Sequence, residues 1–392
     1  MKTQFVIVIL SVTLLYSCKK TGRQFLGIDA SRMEEIIIDP KDGIMLPIDS
    51  FIDKSEYIKL ETTDDNLIGE ISQILFTDSL LIVVDAKKAQ TINVFDMQGN
   101  YKYKIGQRGG GPAEFITITN VSLVPNKNQI AVLDGPQHRV IHYTYKGEYI
   151  NSERIPFMLY YYEYLKSGYK AFNTSNMRDP AYGKYRDNVL IVTDEENQII
   201  YGACNDFYSQ KFSFTMNRPL RIFGNEVYLS PNFTDVIFLV SDTLVTAKYH
   251  INIREHAMPP LSDHITNERF GEYIQKYFHF NGDFIELDKL TFMNISAPQG
   301  NPFLVYVHQT KRSYLNSGNV YHPFYAFLNT FIPKARYKEN VIVTDVPAYH
   351  IIASKENLYH ETTYKKELDD LYKDLTEDAN PVLFFYHLRE DL

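Results

Sequence analysis

Two consecutive stretches of this chain share one layout, and the offset between them constrains the fold more than any other feature. Residues 71–106 divide at 77–79, 86–89 and 97–100 into four β-like segments, and residues 121–155 divide at 126–129, 135–138 and 146–148 in the same way. Asp85 and Asp134 end the second segments 49 residues apart, and Gly99 and Gly147 mark the third turns 48 residues apart. Four short antiparallel strands per unit, repeated with a period in the forties, are the pattern of a β-propeller blade. Between the units lies IGQRGGGPAEF, residues 105–115. A glycine triplet followed by proline suits neither a helix interior nor a central strand, so this stretch reads as the joint between two blades.

Later units are more degenerate. Residues 188–203 repeat strand, Asp-rich turn and strand, residues 220–253 repeat two hairpins, and 291–314 and 348–361 supply two partial units. Six blades fit residues 34–392, whereas seven would leave too few residues for each. The expected fold class is all-β: a six-bladed β-propeller of four-stranded antiparallel blades, with one or two inserted helices. Helical periodicity places those insertions at 266–280, with Phe270, Tyr273, Ile274, Tyr277 and Phe278 on one face, and at 364–375, with Leu368, Leu371 and Leu375 aligned. The chain ends in an apolar strand, PVLFFYHL, at 381–388. An open ring would leave bare strand edges, so closure is expected by pairing this segment's blade with an amino-terminal strand, either EEIIID (34–39) or EYIKLE (56–61).

The first residues carry a separate signal. Lys2 precedes eleven mostly apolar residues, 5–15, and Leu15-Tyr16-Ser17-Cys18 closes the run. This reads as a secretion signal at 1–17, too short to span a membrane, and Leu15, Ser17 and Cys18 resemble a bacterial lipobox in which Cys18 is lipidated. Residues 18–33 then form a lipidated tether, and the membrane is a partner through that lipid. Lys19 and Lys20 stand where an inner-membrane retention signal would place Asp. An outer-membrane anchor facing the periplasm is preferred, with the cell surface second. Cys204 is the other cysteine, so a lipidated Cys18 leaves a body stabilised without disulfides. Net charge is −8 and no Lys/Arg stripe follows a face, which sets nucleic acid aside as a partner. A monomer is expected.

The pattern YIKLETTDDNLIGEISQI followed by LLIVVDAKKAQTINVFDMQGNYKYKIGQRGGGPAEF resembles the NHL-like six-bladed β-propeller lipoproteins abundant in Bacteroidetes. In NHL repeats a G-x-G-x-G-P-G-x-F-like stretch joins one blade to the next. Gly109, Gly111, Pro112, Glu114 and Phe115 fit it, with Ala113 in place of a glycine. The resemblance covers 57–155 best and implies fold and export; the family's members mostly lack an established activity.

Chemistry-bearing patterns are sparse. The glycine run lacks the G-K-[ST] ending of a phosphate-binding loop. The histidines contain no H-E-x-x-H, and no G-x-S-x-G elbow occurs, so no catalytic residue is assigned. Asp39, Asp85, Asp96, Asp134, Asp194 and Asp242 stand at strand ends or turns, where Asp accepts backbone hydrogen bonds. No cofactor or metal is expected, a structural Ca²⁺ on such carboxylates being the alternative. Candidate binding residues are Arg108 and Glu114 in the blade joint, His138 and Arg139 in a turn, and the cluster Tyr160, Tyr161 and Tyr162, whose rings could form a sugar or peptide platform. The preferred function is a cell-envelope lipoprotein whose propeller binds or scaffolds a protein or glycan partner. The alternative is a periplasmic lyase or hydrolase with a site in the central channel.

Overall fold

The computed structural model describes residues 28–174, 179–205, 218–231, 234–261, 265–298, 300, 302–358 and 362–392. The signal segment 1–17, Cys18 and the tether as far as residue 27 lie outside the described residues. The first strands are β1 (Ile28–Asp29), β2 (Glu34–Ile38), β3 (Ile44–Leu46) and β4 (Ile52–Lys59). Blade 1 follows as β5 (Gln73–Phe76), β6 (Leu80–Asp85), β7 (Thr91–Asp96) and β8 (Tyr101–Lys104), and blade 2 as β9 (Asn120–Leu123), β10 (Gln129–Asp134), β11 (Arg139–Thr144) and β12 (Tyr149–Arg154). Blade 3 comprises β13 (Tyr161–Tyr164), β14 (Lys170–Asn173), β15 (Asn188–Thr193) and β16 (Ile199–Asn205). Blade 4 comprises β17 (Leu220–Phe223), β18 (Glu226–Leu229), β19 (Val236–Val240) and β20 (Val245–Ile253). Blade 5 is β21 (His279–Glu286), β22 (Leu290–Ser296), β23 (Phe303–Val307) and β24 (Arg312–Asn316). Blade 6 joins β25 (Ala335–Tyr337), β26 (Val341–Val346) and β27 (Val382–Leu388) to β4 from the amino-terminal region. The fold is a six-bladed β-propeller of four-stranded antiparallel blades.

Middle strands such as β6 (LLIVVD) and β26 (VIVTDV) are buried almost throughout because both of their faces meet a neighbouring blade, which makes them continuous apolar runs. Outer strands meet solvent on one side, and β8 (YKYK) alternates accordingly. The core therefore lies between blades. Ile82, Val84, Val121 and Val132 pack between blades 1 and 2, and Leu81, Val83, Val343, Leu383 and Phe385 between blades 6 and 1.

The amino-terminal strands run along the outside of the ring. β1 and β2 pair in parallel with β20, the outer strand of blade 4, and β3 pairs in parallel with β24, the outer strand of blade 5. β4 then takes the outer position of blade 6, with Lys59 opposite Val382 and Ile52 opposite Leu388. Of the two candidate closure strands, EYIKLE thus supplies its EYIK to the strand beside PVLFFYHL, while EEIIID adds to blade 4. Residues 28–29, within the stretch read as tether, already belong to a sheet.

Helices occupy two insertions. α1 (Asn267–Lys276) begins at Thr266, whose hydroxyl accepts from Arg269 N at 3.2 Å, and buries Phe270 against Leu261. It stops short of residues 278–280 because the aromatic-rich run that follows pairs as β21. The second insertion, between β26 and β27, holds α2 (Ala348–Ala353), α3 (Lys355–Leu358) and α4 (Lys365–Tyr372). Residues 348–358 were expected as part of a β unit and are helical instead. Pro347 fixes the entry, and Ala348 and Ile351, three apart, are the buried positions. The remaining residues of that expectation, 359–361, lie outside the described residues.

Antiparallel order assigns the connections to two ends of the ring. Turns joining first to second and third to fourth strands lie on one face, termed the turn face. Turns joining second to third strands, and the connections between blades, lie on the other, termed the crossover face. Both helical insertions are on the crossover face.

Candidate ligand site at the propeller axis

The first strand of each blade lines the axis, and these short strands carry polar residues that bind across blade boundaries. Gln73 of blade 1 donates to Val121 O at 2.8 Å and accepts from Val121 N at 3.0 Å. Asn120 and Ser122 of blade 2 donate to Tyr162 O of blade 3 at 2.8 and 3.0 Å. Arg218, just before blade 4, donates to Glu163 at 2.6 Å and to Asn120 at 3.2 Å. Arg221 pairs with Asp283 of blade 5, and Arg336 of blade 6 donates to Glu286 O of blade 5 at 3.1 Å. Lys334 reaches Ile71 O, beside blade 1, at 2.5 Å and Asp345 at 3.0 Å. Every blade boundary is therefore crossed by a side-chain hydrogen bond or ion pair near the axis.

Burial shapes the charges. It pushes the Glu163 carboxyl up to about 7, against the pull of the Arg218 guanidinium. Burial likewise raises Asp283 and Asp345, with Arg221 and Lys334 opposing, and lowers Arg218.

A cavity of about 950 Å³ opens at the turn face among the first-to-second-strand turns of blades 2, 3, 4 and 6. This is the upper end of the roughly 300–1,000 Å³ typical of small-molecule sites. Arg218, Arg221, Lys334 and Arg336 line its wall, and Lys127, Lys166 and Lys338 stand at its rim, against the acids Glu163 and Glu339. A cleft of about 340 Å³ adjoins it between blades 2 and 3, sharing Val124, Asn126, Lys127 and Tyr164. There the buried Lys170 ammonium contacts Glu153 at 2.7 Å and Asn197 Oδ1 at 3.0 Å, with His142 Nε2 3.7 Å from Glu153.

The residues singled out in the sequence lie elsewhere. Arg108 and Glu114 belong to the blade joint on the crossover face. Arg108 is exposed and bridges to Phe115. Glu114 accepts from Gly111 N at 2.8 Å and Gln107 Nε2 at 2.6 Å, and the Gly111 N–H holds its carboxyl below the usual range. A Cβ on Gly109 would lie 2.1 Å from the Glu114 carboxylate, so the glycine lets that side chain fold onto its own loop. Arg139 donates to Gly111 O at 3.3 Å and to Glu114 O, and His138 adopts a left-handed conformation (φ 50°) that ends a short 3₁₀ turn. Tyr160 is exposed beside β13, Tyr161 packs between blades 3 and 4, and Tyr162 is buried with its ring stacked 5.7 Å from Phe172. None of these seven lines the axial cavity. Sequence reading missed Glu163, Arg218, Arg221, Lys334 and Arg336. Their signal was charge inside or beside very short β runs, in YYEYL, RPLRIF and KARY.

Two of the strand-end aspartates act on the backbone of the blade joints. Asp85 accepts from Gly69 N and Glu70 N at 2.8 and 2.9 Å and from Lys88 N at 2.8 Å, and Asp134 accepts from Ile116 N at 2.8 Å. Among the described residues no three His, Cys, Asp or Glu side chains gather as a metal site.

Residues 36–387 match the profile of a family described as a domain of unknown function, DUF4934. The chain belongs to that family. A solved Bacteroides fragilis protein named as exported is 21% identical to this DUF4934 chain, covers 91% of it and 99% of its own length, and superposes with a TM-score of 0.73. A Bacteroides vulgatus member of the DUF4221 family is 12% identical, with 86% and 97% covered and a TM-score of 0.50. No curated protein matches the chain. These likenesses show the fold. No helix among the described residues is long and apolar enough to cross a membrane.

Proposed function

We propose that this chain is a cell-envelope lipoprotein, anchored through Cys18, that binds a glycan or protein partner in its axial cavity. The carrying observation is the cavity of about 950 Å³, whose wall and rim are dominated by Lys and Arg in a chain of net charge −8. A concave wall with an excess of one sign concentrates field lines and draws an oppositely charged partner. The buried carboxylates around it are each tied to a cation: Glu163 to Arg218, Asp283 to Arg221, Asp345 to Lys334. That pairing suits holding the cations in place for binding. For export, the support is the apolar amino terminus ending in Cys18 and a solved relative of the same fold named as exported.

The test passes solubilised envelope components over the immobilised full chain and over the Lys127→Glu/Lys338→Glu variant, both exposed rim positions. A component retained by the native protein and released by the variant is expected. Equal retention by both, or retention by neither, would remove the axial cavity as the binding site. A second reading, a lyase or hydrolase working in the same cavity, draws on the Glu163 carboxyl, poised near neutrality in the cavity wall.

A further inference from the structure

Four features of the axial cavity converge on one ligand chemistry. Charge is the first. Lys127, Lys166 and Lys338 are exposed on the turns of three different blades, above the four inner cations. The lining keeps more cations than anions even when Asp283, Asp288 and Asp345, which pair with cations from behind, are counted with it. The second is Arg218, which lines the cavity and whose Nη2 donates to both Glu163 and Asn120, while its buried Nε lacks a hydrogen-bond partner. A buried guanidinium donor left unmet is costly, and an acceptor oxygen from a ligand would meet it once the guanidinium turns its Nε toward the cavity.

The third feature is the company these cations keep. Tyr145, Phe223 and Tyr337 line the cavity together with Asn126, Asn225 and Asn340. Aromatic rings and amides in one lining suit the apolar faces and the hydroxyls of a pyranose. An acidic peptide would meet the same charge, so the test below sets one against the sugars. The fourth is shape. The cleft between blades 2 and 3 shares Val124, Lys127 and Tyr164 with the axial cavity, so the two form one elongated trough with Lys127 at their junction.

From these we infer that the trough binds an acidic oligosaccharide, its acid groups on the rim lysines and inner arginines and its chain running from the axis over Lys127 toward blade 3. The inference rests on the axial-cavity reading above and names the ligand class for it.

Isothermal titration of the full chain in detergent tests it, using hexagalacturonate, a hyaluronan hexamer, digalacturonate, the fully methyl-esterified hexamer and hexaglutamate. At least one acidic hexamer is expected to bind, more weakly as salt rises. Binding should fall by roughly tenfold or more for the dimer, for the methyl ester and for the Lys127→Glu/Lys166→Glu/Lys338→Glu variant. Exposed positions make that variant's melting temperature a check on its fold. Failure of both acidic hexamers to bind overturns the inference, as does equal binding of the methyl ester or tighter binding of hexaglutamate. If the ester or peptide binds and the triple variant loses it, the cavity still binds and only the ligand class falls. An unsaturated product absorbing in the ultraviolet would keep the acidic-sugar class while replacing binding by lyase chemistry.

Discussion

Glu163 sits on β13, buried, one residue from the tyrosine cluster that drew notice in the sequence, and faces Arg218 across the boundary between blades 3 and 4. Its carboxyl is pushed from the ordinary value near 4.5 up to about 7 by burial, so the fold binds its proton more tightly than the unfolded chain does. The stability this group contributes is therefore fully present below about pH 4.5, falls as pH rises, and levels off above about 7. Replacing Glu163 by Gln should remove that component: the stability difference between variant and native protein, from denaturant melts between pH 4.5 and 8, should shift in the variant's favour as pH rises. A difference independent of pH would contradict the burial of the charge. Other residues were legible for a different reason. Asp85 and Asp134 stood out because they recur at the blade period, and their role, accepting backbone N–H groups from the blade joint, is local and repeats with it. Glu163 and Arg218 do not recur, since each blade contributes a different group to the axis.

At the scale of elements, the joint IGQRGGGPAEF was readable as a connection because glycine and proline exclude regular structure. Its Arg108 and Glu114 were expected at a binding face, and the Glu114 carboxylate instead binds its own loop, where Arg139 also holds two carbonyls. The strand β27 was readable as apolar, and its register against β4 comes from the fold. Phe384 in its middle is fully buried and packs 4.9 Å from Phe327 and 5.7 Å from Phe324. Phe384→Ala should cost about 3–5 kcal/mol in equilibrium unfolding, the range for a buried Phe in a close-packed core. A loss under about 1 kcal/mol would mean that the closing blade packs loosely. Residues 348–358 misled because Ile351 and Ile352 read as β-branched strand, while the buried spacing from Ala348 to Ile351 is that of a helix turn.

For the whole molecule, the amino-terminal segment follows the outer edges of blades 4, 5 and 6, pairing with β20, then β24, then β27. These pairings cover strand edges that would otherwise be open to other chains. They also seat Ile28 beside Val245 on the outer strand of blade 4. Ten chain steps lead from Cys18 to Ile28, a reach of at most about 33–36 Å when extended, so an anchor at Cys18 would hold the ring close to the bilayer. Cys18→Ser should abolish incorporation of labelled fatty acid and move the protein from the membrane to the soluble fraction. Unchanged labelling would rule out Cys18 as the lipid site.

By itself the sequence determined the blade: its four-strand layout, its period, its Asp and Gly landmarks and the glycine-rich joint, because each rests on local turn chemistry and strand patterning repeated along the chain. It also determined that six such units fit the length. Only the tertiary structure decided which amino-terminal strand closes the ring, where EEIIID goes, and which charges meet at the axis. Those depend on residues up to several blades apart in sequence, as with Lys334 and Ile71, brought together by the ring's curvature. The axial site is assembled from short segments of five blades, so no single stretch of sequence contains it.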